Sequence, residues 1–206
     1  MKKRVVILGA GGHAKVVCDV LCLSGYKVIG FLDDDPLLGG SQLLGLPILG
    51  TTERVADLDV DAAIVGIGDN RLRQAFYERL RTQGVPLINA IHPSAVIARD
   101  VQLGSGLAVV ANVVVNPGSR IGDNVILNTA SSVDHDCLIE EHVHIAPGAR
   151  LCGGVRVGRG TLIGVGACVI PYKTIGAEVV VGGGAVVTMD LPDQVTAVGV
   201  PARIIR

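Results

Sequence analysis

Reactive side chains are concentrated in one short stretch of this sequence, Asp134-His135-Asp136, and two further histidines, His142 and His144, follow closely. A neighbouring carboxylate orients an imidazole ring and raises its basicity. A lone histidine here would be an ordinary surface residue, but two flanking acids favour a catalytic role. We therefore predict that His135 is a reactive imidazole of raised basicity at a functional site.

The elements that position these residues follow from a six-residue repeat between Ile91 and Pro192. Two inward side chains separated by one outward residue make a short strand, and the remaining three residues of each unit, such as Gly122-Asp123-Asn124, are turn formers. A strand and a corner repeated without insertion indicate a parallel β-helix. Every sixth residue is aliphatic: Ile91, Ile97, Leu103, Val109, Val115, Ile121, Leu127, Val133, Ile139, Ile145, Leu151, Val157, Ile163, Val169, Ile175, Val181 and Val187.

This repeat resembles the hexapeptide-repeat acyltransferases, whose fold is a left-handed β-helix with three hexads in each triangular coil. In this repeat Cys137 occupies an inward position and points into the core, which disfavours it as a nucleophile. Residues 134–136 form a corner. His144 projects outward from a flat face, half a coil away from His135. One site that uses both histidines must then join two subunits, so we predict a trimer. Lys173 breaks the small-residue pattern, which indicates either a local bulge that exposes it near the CoA phosphates or, more commonly, a solvated lysine.

An α/β unit precedes the repeat. We predict a buried strand from Arg4 to Leu8, a glycine loop from Gly9 to Ala14, a helix from Ala14 to Leu23, and a second strand from Lys27 to Leu32 that ends in Asp33-Asp34-Asp35. Glycines let the backbone approach a pyrophosphate at a helix N-terminus, and an acid can accept a ribose or base hydrogen bond. The alternative is a plain tight turn. Since the β-helix replaces the second half of a dinucleotide fold, one nucleotide or a nucleotide sugar fits better than NAD.

The α/β pattern continues with a third strand, Ala62 to Ile67, and a helix, Arg71 to Gln83, capped by Asp69 or Asn70. A strand from Leu87 to Ile91 leads into the first coil. The predicted fold class is an N-terminal Rossmann-like α/β domain, residues 1–90, followed by a left-handed parallel β-helix, residues 91–206. The end of the chain, Val198 to Arg203, resembles the closing motif of the same acyltransferases and is expected to cap the last coil.

Composition narrows the class of protein. A formal net charge of −1 gives no indication of the excess positive charge that binds nucleic acid or an acidic membrane. Five cysteines without a CxxC pair favour free thiols in a reducing compartment. The apolar run from Val5 to Leu8 is too short for a signal peptide, and no apolar run is long enough to span a bilayer. We expect a cytoplasmic protein.

Both halves of the chain resemble one family. The block Leu127 to His144, with Gly11-Gly12-His13, Phe31-Leu32-Asp33-Asp34 and Gly66-Ile67-Gly68, closely resembles bacterial sugar-nucleotide acetyltransferases with an N-terminal Rossmann-like domain. That family includes sialic acid O-acetyltransferases and 4-amino-sugar N-acetyltransferases. The resemblance implies acetyl-CoA as co-substrate, no metal, a nucleotide-linked amino sugar as acceptor, a homotrimer with active sites between subunits, and a role in surface glycan or glycoprotein biosynthesis.

The resemblance also implies residue roles. His135 would be the general base in a direct attack of the sugar amine on the thioester, and Asp136 would raise its basicity, a part that Asp134 could also take. His144 would contact the thioester carbonyl from the neighbouring subunit. The other acetyl-CoA contacts would be Gly153, Val165 and Gly183. The sugar-nucleotide contacts would be Gly11, Gly12, His13, Asp33, Asp34, Gly68 and Asn128.

Three alternatives remain open at the level of sequence. Acetyl transfer to a sugar hydroxyl, as in the sialic acid enzymes, requires the same residues. A zinc enzyme of the γ-carbonic anhydrase type could use His135, His142 and His144, although the three-histidine spacing of that family is absent. A binding scaffold without catalysis would leave His135 dispensable.

Overall fold

The N-terminal part of the chain folds into a small parallel sheet flanked by helices. The computed structural model describes residues 2–206. Its elements here are β1 (Arg4–Leu8), α1 (Gly12–Leu23), β2 (Lys27–Leu32), a 3-10 turn (Pro36–Leu38), β3 (Gln42–Leu43), β4 (Leu46–Pro47), a second 3-10 segment (Thr52–Asp57), β5 (Ala62–Val65) and α2 (Asn70–Thr82). The parallel sheet has the order β2, β1, β5, and β3 pairs with β4 in a separate antiparallel hairpin. The predicted α/β unit is confirmed.

Element ends differ slightly from the prediction. β1 and β2 have the predicted bounds, whereas α1 begins at Gly12 instead of Ala14. Gly12 and His13 therefore occupy the first turn of α1, where backbone N–H groups have no partner within the helix. β5 ends at Val65, two residues early, and α2 has Asp69 as its N-cap, with the carboxylate accepting from Leu72 N at 2.8 Å.

A parallel β-helix follows, built from strands of two residues each. Val114 and Val115 pair with Ser132 and Val133, so each strand lies against the strand 18 residues further on. The strands are β6 (Ala90–Ile91), β7 (Val96–Ile97), β8 (Gln102–Leu103), β9 (Ala108–Val109), β10 (Val114–Val115), β11 (Arg120–Ile121), β12 (Ile126–Leu127), β13 (Ser132–Val133), β14 (Leu138–Ile139), β15 (His144–Ile145), β16 (Arg150–Leu151), β17 (Arg156–Val157), β18 (Leu162–Ile163), β19 (Cys168–Val169), β20 (Thr174–Ile175), β21 (Val180–Val181) and β22 (Val186–Val187). Of the predicted strand Leu87 to Ile91, only β6 forms, and it pairs with β9; Leu87 makes a single bridge to Ala63.

The coils form a prism with three faces, which we name by their outward residues. The covered face, packed under the N-terminal domain, presents Ala90, Ala108, Ile126, His144, Leu162 and Val180. The apolar face presents Val96, Val114, Ser132, Arg150, Cys168 and Val186. The charged face presents Gln102, Arg120, Leu138, Arg156 and Thr174. Three edges separate them: the His135 edge lies between the apolar and charged faces, the Asn128 edge between the covered and apolar faces, and the Asp123 edge between the charged and covered faces.

The interior of the prism is a continuous aliphatic stack. From Val109 to Val187, every residue of the predicted six-residue series is buried, and burial of each such side chain stabilises the fold by about 1.5–3 kcal/mol. Cys137 is buried in this core, as predicted. The bulge expected at Lys173 is wrong, because Thr174 and Ile175 stay in register with Arg156 and Val157.

The two parts of the chain share a hydrophobic cluster. Ala14 and Leu21 of α1 pack with Ala90, Ala108 and Ile126 of the covered face. This contact fixes the glycine loop beside the coils.

The end of the chain closes the last coil. β23 (Thr196–Val198) continues the covered face by pairing with β21, and β24 (Arg203–Ile204) folds back antiparallel onto β23. Within residues 2–206, none of the helices has the length and apolar character needed to cross a membrane.

Candidate active site

His135 stands on its own edge of the prism, in a corner that its neighbours hold rigidly. Its Nδ1 lies 2.8 Å from Asp136 Oδ2, and this hydrogen bond, with smaller effects from the nearby carboxylate charges, raises the pKa of His135 above its ordinary value. The side chain is half exposed. Because Asp136 engages Nδ1, Nε2 is the nitrogen left to accept a proton.

Asp134 has a different function from Asp136. Its Oδ1 accepts from Asn116 Nδ2 and from the backbone N–H of His135, both at 2.8 Å, and these bonds lower the pKa of Asp134. Asp134 therefore fixes the backbone of the corner, whereas Asp136 reaches the imidazole. The alternative in which Asp134 contacts the ring is not the arrangement found.

Gly153, one coil beyond His135, lies directly against the imidazole. A Cβ atom at position 153 would sit 2.5 Å from Nε2 and 2.6 Å from Cε1 of His135, closer than real carbon contacts allow. Only glycine leaves the ring in this orientation. This predicted acetyl-CoA contact thus lies at the proton-accepting nitrogen itself.

The glycine loop forms a cavity of about 400 Å³ at the carboxyl ends of β1, β2 and β5. Among its walls are six of the seven residues predicted to hold a sugar nucleotide: Gly11, Gly12, His13, Asp33, Asp34 and Gly68. Ligands of open parallel sheets bind at this end of the strands. The arrangement has the size and the backbone donors for a nucleotide.

Two aspartates shape this cavity by bonding the protein backbone. Asp33 Oδ2 accepts from Ala10 N at 2.6 Å and holds the glycine loop, while Asp34 Oδ1 accepts from Thr52 N at 2.7 Å. Thr52 is buried and lines the cavity. Sequence reasoning missed Thr52, because nothing in its local sequence distinguishes it from Thr51.

His144 lies against the N-terminal domain of its own chain. Its ring centroid is 6.4 Å from that of His13, and Asn128 Nδ2 lies 3.1 Å from His144 Nε2. Burial and the nearby Arg73 guanidinium lower the pKa of both histidines to about 4, so both rings are neutral at pH 7. Asn128, the seventh predicted substrate contact, thereby orients His144.

Arg73, which sequence reasoning also missed, joins α2 to the coils. It is 1% exposed, and its guanidinium donates to Asn124 O at 3.1 Å, His142 O at 2.8 Å and Gly68 O at 3.2 Å. It therefore ties the Gly68 wall of the nucleotide cavity to the strand that carries His144. The sequence gives only a weak indication of this role. The buried face of α2 consists of Arg73, Tyr77 and Leu80, and Arg73 is its charged member.

The remaining predicted cofactor contacts lie on a different edge. Val165, 60% exposed, and Gly183 stack in successive coils on the Asn128 edge. His135 and Gly153 lie on the His135 edge, opposite the covered face that carries His144. One chain brings together the nucleotide cavity, Asn128 and His144, but keeps them apart from His135.

The three histidines of the zinc alternative do not meet. His142 is buried on the Asp123 edge, where its Nδ1 bonds Asn124 Nδ2 at 2.9 Å and Nε2 lies 3.5 Å from Glu78. Within residues 2–206, no three His, Cys, Asp or Glu side chains are grouped closely enough to hold a metal ion. The donor arrangement gives the zinc alternative no support.

Known proteins match the chain in both halves. Residues 4–80 match the PglD N-terminal domain. The GDP-perosamine N-acetyltransferase of Escherichia coli O157:H7 is 32% identical over 96% of this chain and 94% of its own length. The solved structure of PerB from Caulobacter crescentus in complex with CoA and GDP-perosamine is 47% identical, with a TM-score of 0.92 and coverage of 98% of this chain and 97% of that chain.

A third relative binds the acetylated cofactor. The acetyltransferase domain of PglB from Neisseria gonorrhoeae FA1090, in complex with acetyl coenzyme A, is 40% identical, with a TM-score of 0.94 and full coverage of both chains. The likeness confirms the left-handed β-helix and the acyltransferase class. The chain belongs to the hexapeptide-repeat sugar-nucleotide N-acetyltransferases that carry a PglD N-terminal domain.

Proposed function

We propose that this enzyme transfers the acetyl group of acetyl-CoA to the 4-amino group of a nucleotide-linked amino-deoxy sugar, and that its acceptor is GDP-perosamine. The observation that carries the choice of acceptor is the match, across both domains, to a GDP-perosamine N-acetyltransferase at 32% identity and to PerB, solved with GDP-perosamine bound, at 47% identity. The reaction belongs in the cytoplasm, where acetyl-CoA and nucleotide sugars are available, and would supply surface glycan or glycoprotein biosynthesis.

The mechanism follows from the His135 and Asp136 pair. Nε2 of His135 accepts a proton from the sugar amine as the amine nitrogen attacks the thioester carbonyl, and Asp136 stabilises the resulting imidazolium through Nδ1. The tetrahedral intermediate then collapses, the carbon–sulfur bond breaks, and CoA leaves as the thiolate, which takes the proton back from His135. No covalent acyl-enzyme is formed.

The proposed site is shared between subunits, because one chain keeps its two halves apart. The apolar face lies between the Asn128 edge and the His135 edge, and apart from Arg150 it presents only small or apolar side chains: Val96, Val114, Ser132, Cys168 and Val186. We assign this face to the interface of a homotrimer, which would bring the His135 edge of one chain to the Asn128 edge of the next. Light scattering that gives the mass of one chain would contradict this assembly.

The roles then divide between residues 1–90 and residues 91–206. The cavity of the first segment, including Asp33, Asp34 and Gly68, holds the nucleotide. His144 contacts the thioester carbonyl from the neighbouring subunit while Asn128 orients it. Gly153, Val165 and Gly183 line the path of acetyl-CoA.

The test is release of free thiol from acetyl-CoA in the presence of GDP-perosamine, with His135→Ala assayed alongside. We expect release that is at least about 100-fold slower in His135→Ala, the usual loss when a general base is removed. Release only with UDP- or dTDP-linked amino sugars would change the nucleotide. Release only with sugar hydroxyl acceptors would favour O-acetylation, and undiminished release by His135→Ala would refute the assigned base.

A further inference from the structure

Tyr172 has a backbone conformation that its side chain disfavours. Its φ is +58°, in the left-handed region. The equivalent corner positions in the preceding coils are Gly118, Asp136 and Gly154, which are glycines or a residue type that tolerates this region. A bulky aromatic residue there is an outlier. Residues held in such conformations cluster at functional sites.

The fold itself gives little reason for a tyrosine here. The side chain is 73% exposed. A glycine would occupy the same corner without strain. The ring therefore has a use other than stabilising its own coil.

The ring of Tyr172 borders the same backbone strip as the catalytic imidazole. A Cβ atom at Gly154 would lie 2.5 Å from Cδ1 of Tyr172, just as one at Gly153 would lie 2.5 Å from Nε2 of His135. The imidazole of His135, from the preceding coil, thus packs over Gly153, and the phenol ring of Tyr172, from the following coil, packs over Gly154. Tyr172 forms the wall of the active site on the C-terminal side of His135.

The placement of the N-terminal domain indicates which of the two substrates lies against this wall. That domain packs on the covered face, from Ala90, Ala108 and Ile126 as far as the coil of Gly160, whose carbonyl accepts from Asn70 Nδ2, and its nucleotide cavity is lined by its own residues. The His135 edge lies opposite the covered face and therefore away from this domain. Successive coils are about 4.8 Å apart, so the backbone of Tyr172 lies about 10 Å along the edge from Asp136. This is where a long, flexible second substrate has room.

We propose that Tyr172 is a binding residue for acetyl-CoA, and that its ring packs against the pantetheine arm as the thioester reaches His135. The inference rests on the proposed function. A rigid aromatic ring offers a large apolar contact at low entropic cost, and its contact with the arm would fix the thioester beside Nε2.

The experiment compares Tyr172→Gly with Gln194→Gly by calorimetric titration of CoA into the full chain. Gln194 is an exposed residue with φ +60° on the Asp123 edge, so its substitution relieves the same kind of backbone strain far from His135. We expect Tyr172→Gly to weaken CoA binding by about tenfold, as loss of one aromatic contact should. Gln194→Gly should leave it unchanged, and Tyr172→Phe should stay within about twofold, because the ring and not the hydroxyl makes the contact.

Steady-state kinetics give a second readout. Tyr172→Gly should raise the KM for acetyl-CoA and leave the KM for the sugar nucleotide unchanged. Unaltered CoA affinity in Tyr172→Gly, with CoA binding by the unsubstituted chain intact, would overturn this inference and leave the proposed function standing. An unsubstituted chain that binds no CoA would overturn both.

Discussion

Replacing Arg73 with methionine tests whether this one buried side chain holds the N-terminal domain on the coils. Methionine keeps most of the apolar stem and removes every donor. Asn124 O and His142 O accept no other hydrogen bond among residues 2–206. The substitution therefore leaves two buried carbonyl groups without a partner.

The expected loss can be worked from those two carbonyl groups. An unsatisfied buried acceptor costs about 1–3 kcal/mol, which gives about 2–6 kcal/mol for the pair. Relief of the buried charge offsets part of this, since burial already lowers the pKa of Arg73 to about 10. We expect a net loss of about 3 kcal/mol in the free energy of unfolding.

Arg71 supplies a matched control on the same helix. Its side chain is 91% exposed and reaches Glu178 only at 3.8 Å. An exposed ion pair of this kind contributes about 0–1 kcal/mol. Arg71→Met makes the same chemical change as Arg73→Met without stranding a buried group.

Urea unfolding followed by far-ultraviolet circular dichroism measures both losses. The variants are compared at pH 7 and at one protein concentration, because assembly shifts the midpoint. If the loss of unfolding free energy in Arg73→Met is within about 1 kcal/mol of the loss in Arg71→Met, the carbonyl groups have found other partners and the reasoning is refuted. A direct readout of the site is also available: Arg73→Met should weaken binding of the sugar nucleotide, since Gly68 loses its anchor.

Two further changes probe the site. Gly153→Ala should lower kcat by about 100-fold with the fold intact by circular dichroism, because the new methyl group must push the imidazole of His135 off its hydrogen bond to Asp136; an unchanged kcat would contradict this. Acidification from pH 7 to pH 5 should cost about 2 kcal/mol of stability for each of His13 and His144, because their folded pKa of about 4 lies below the unfolded value near 6.5 and only the unfolded chain binds the protons. His144→Asn should remove about 2 kcal/mol of the loss, and equal urea midpoints at pH 7 and pH 5 would exclude the effect.

The coils were predictable because their signal is local and repeated. Each six-residue unit carries its own inward aliphatic residue and its own corner, so register, burial of Cys137 and exposure of His135 all follow from counting. β1 and β2 were equally accessible, since each is a short apolar run bounded by glycine or charge. Lys173 shows the limit of the pattern: the ladder tolerates one lysine at an inward position without a bulge.

Contacts between the two domains were not predictable. The nearness of His13 to His144 and the bonds from Arg73 to Asn124 and His142 join residues that are distant in sequence. They depend on how α1 and α2 pack against the coils, and no periodic pattern specifies that. The resemblance named Asp136 as the partner of the imidazole, and its Oδ2 makes that contact, but residue spacing alone did not separate Asp136 from Asp134.

The 18-residue spacing between paired strands restricts how this enzyme can change in length. Deleting one hexad would turn every later residue by one face of the prism, so that Val165 and Gly183 would leave the Asn128 edge while the core remained aliphatic throughout. Such a chain could fold and still have its functional surfaces in the wrong order. Lineages of this enzyme should therefore gain or lose coils in whole turns, and shorter insertions should survive only as loops that project from a corner.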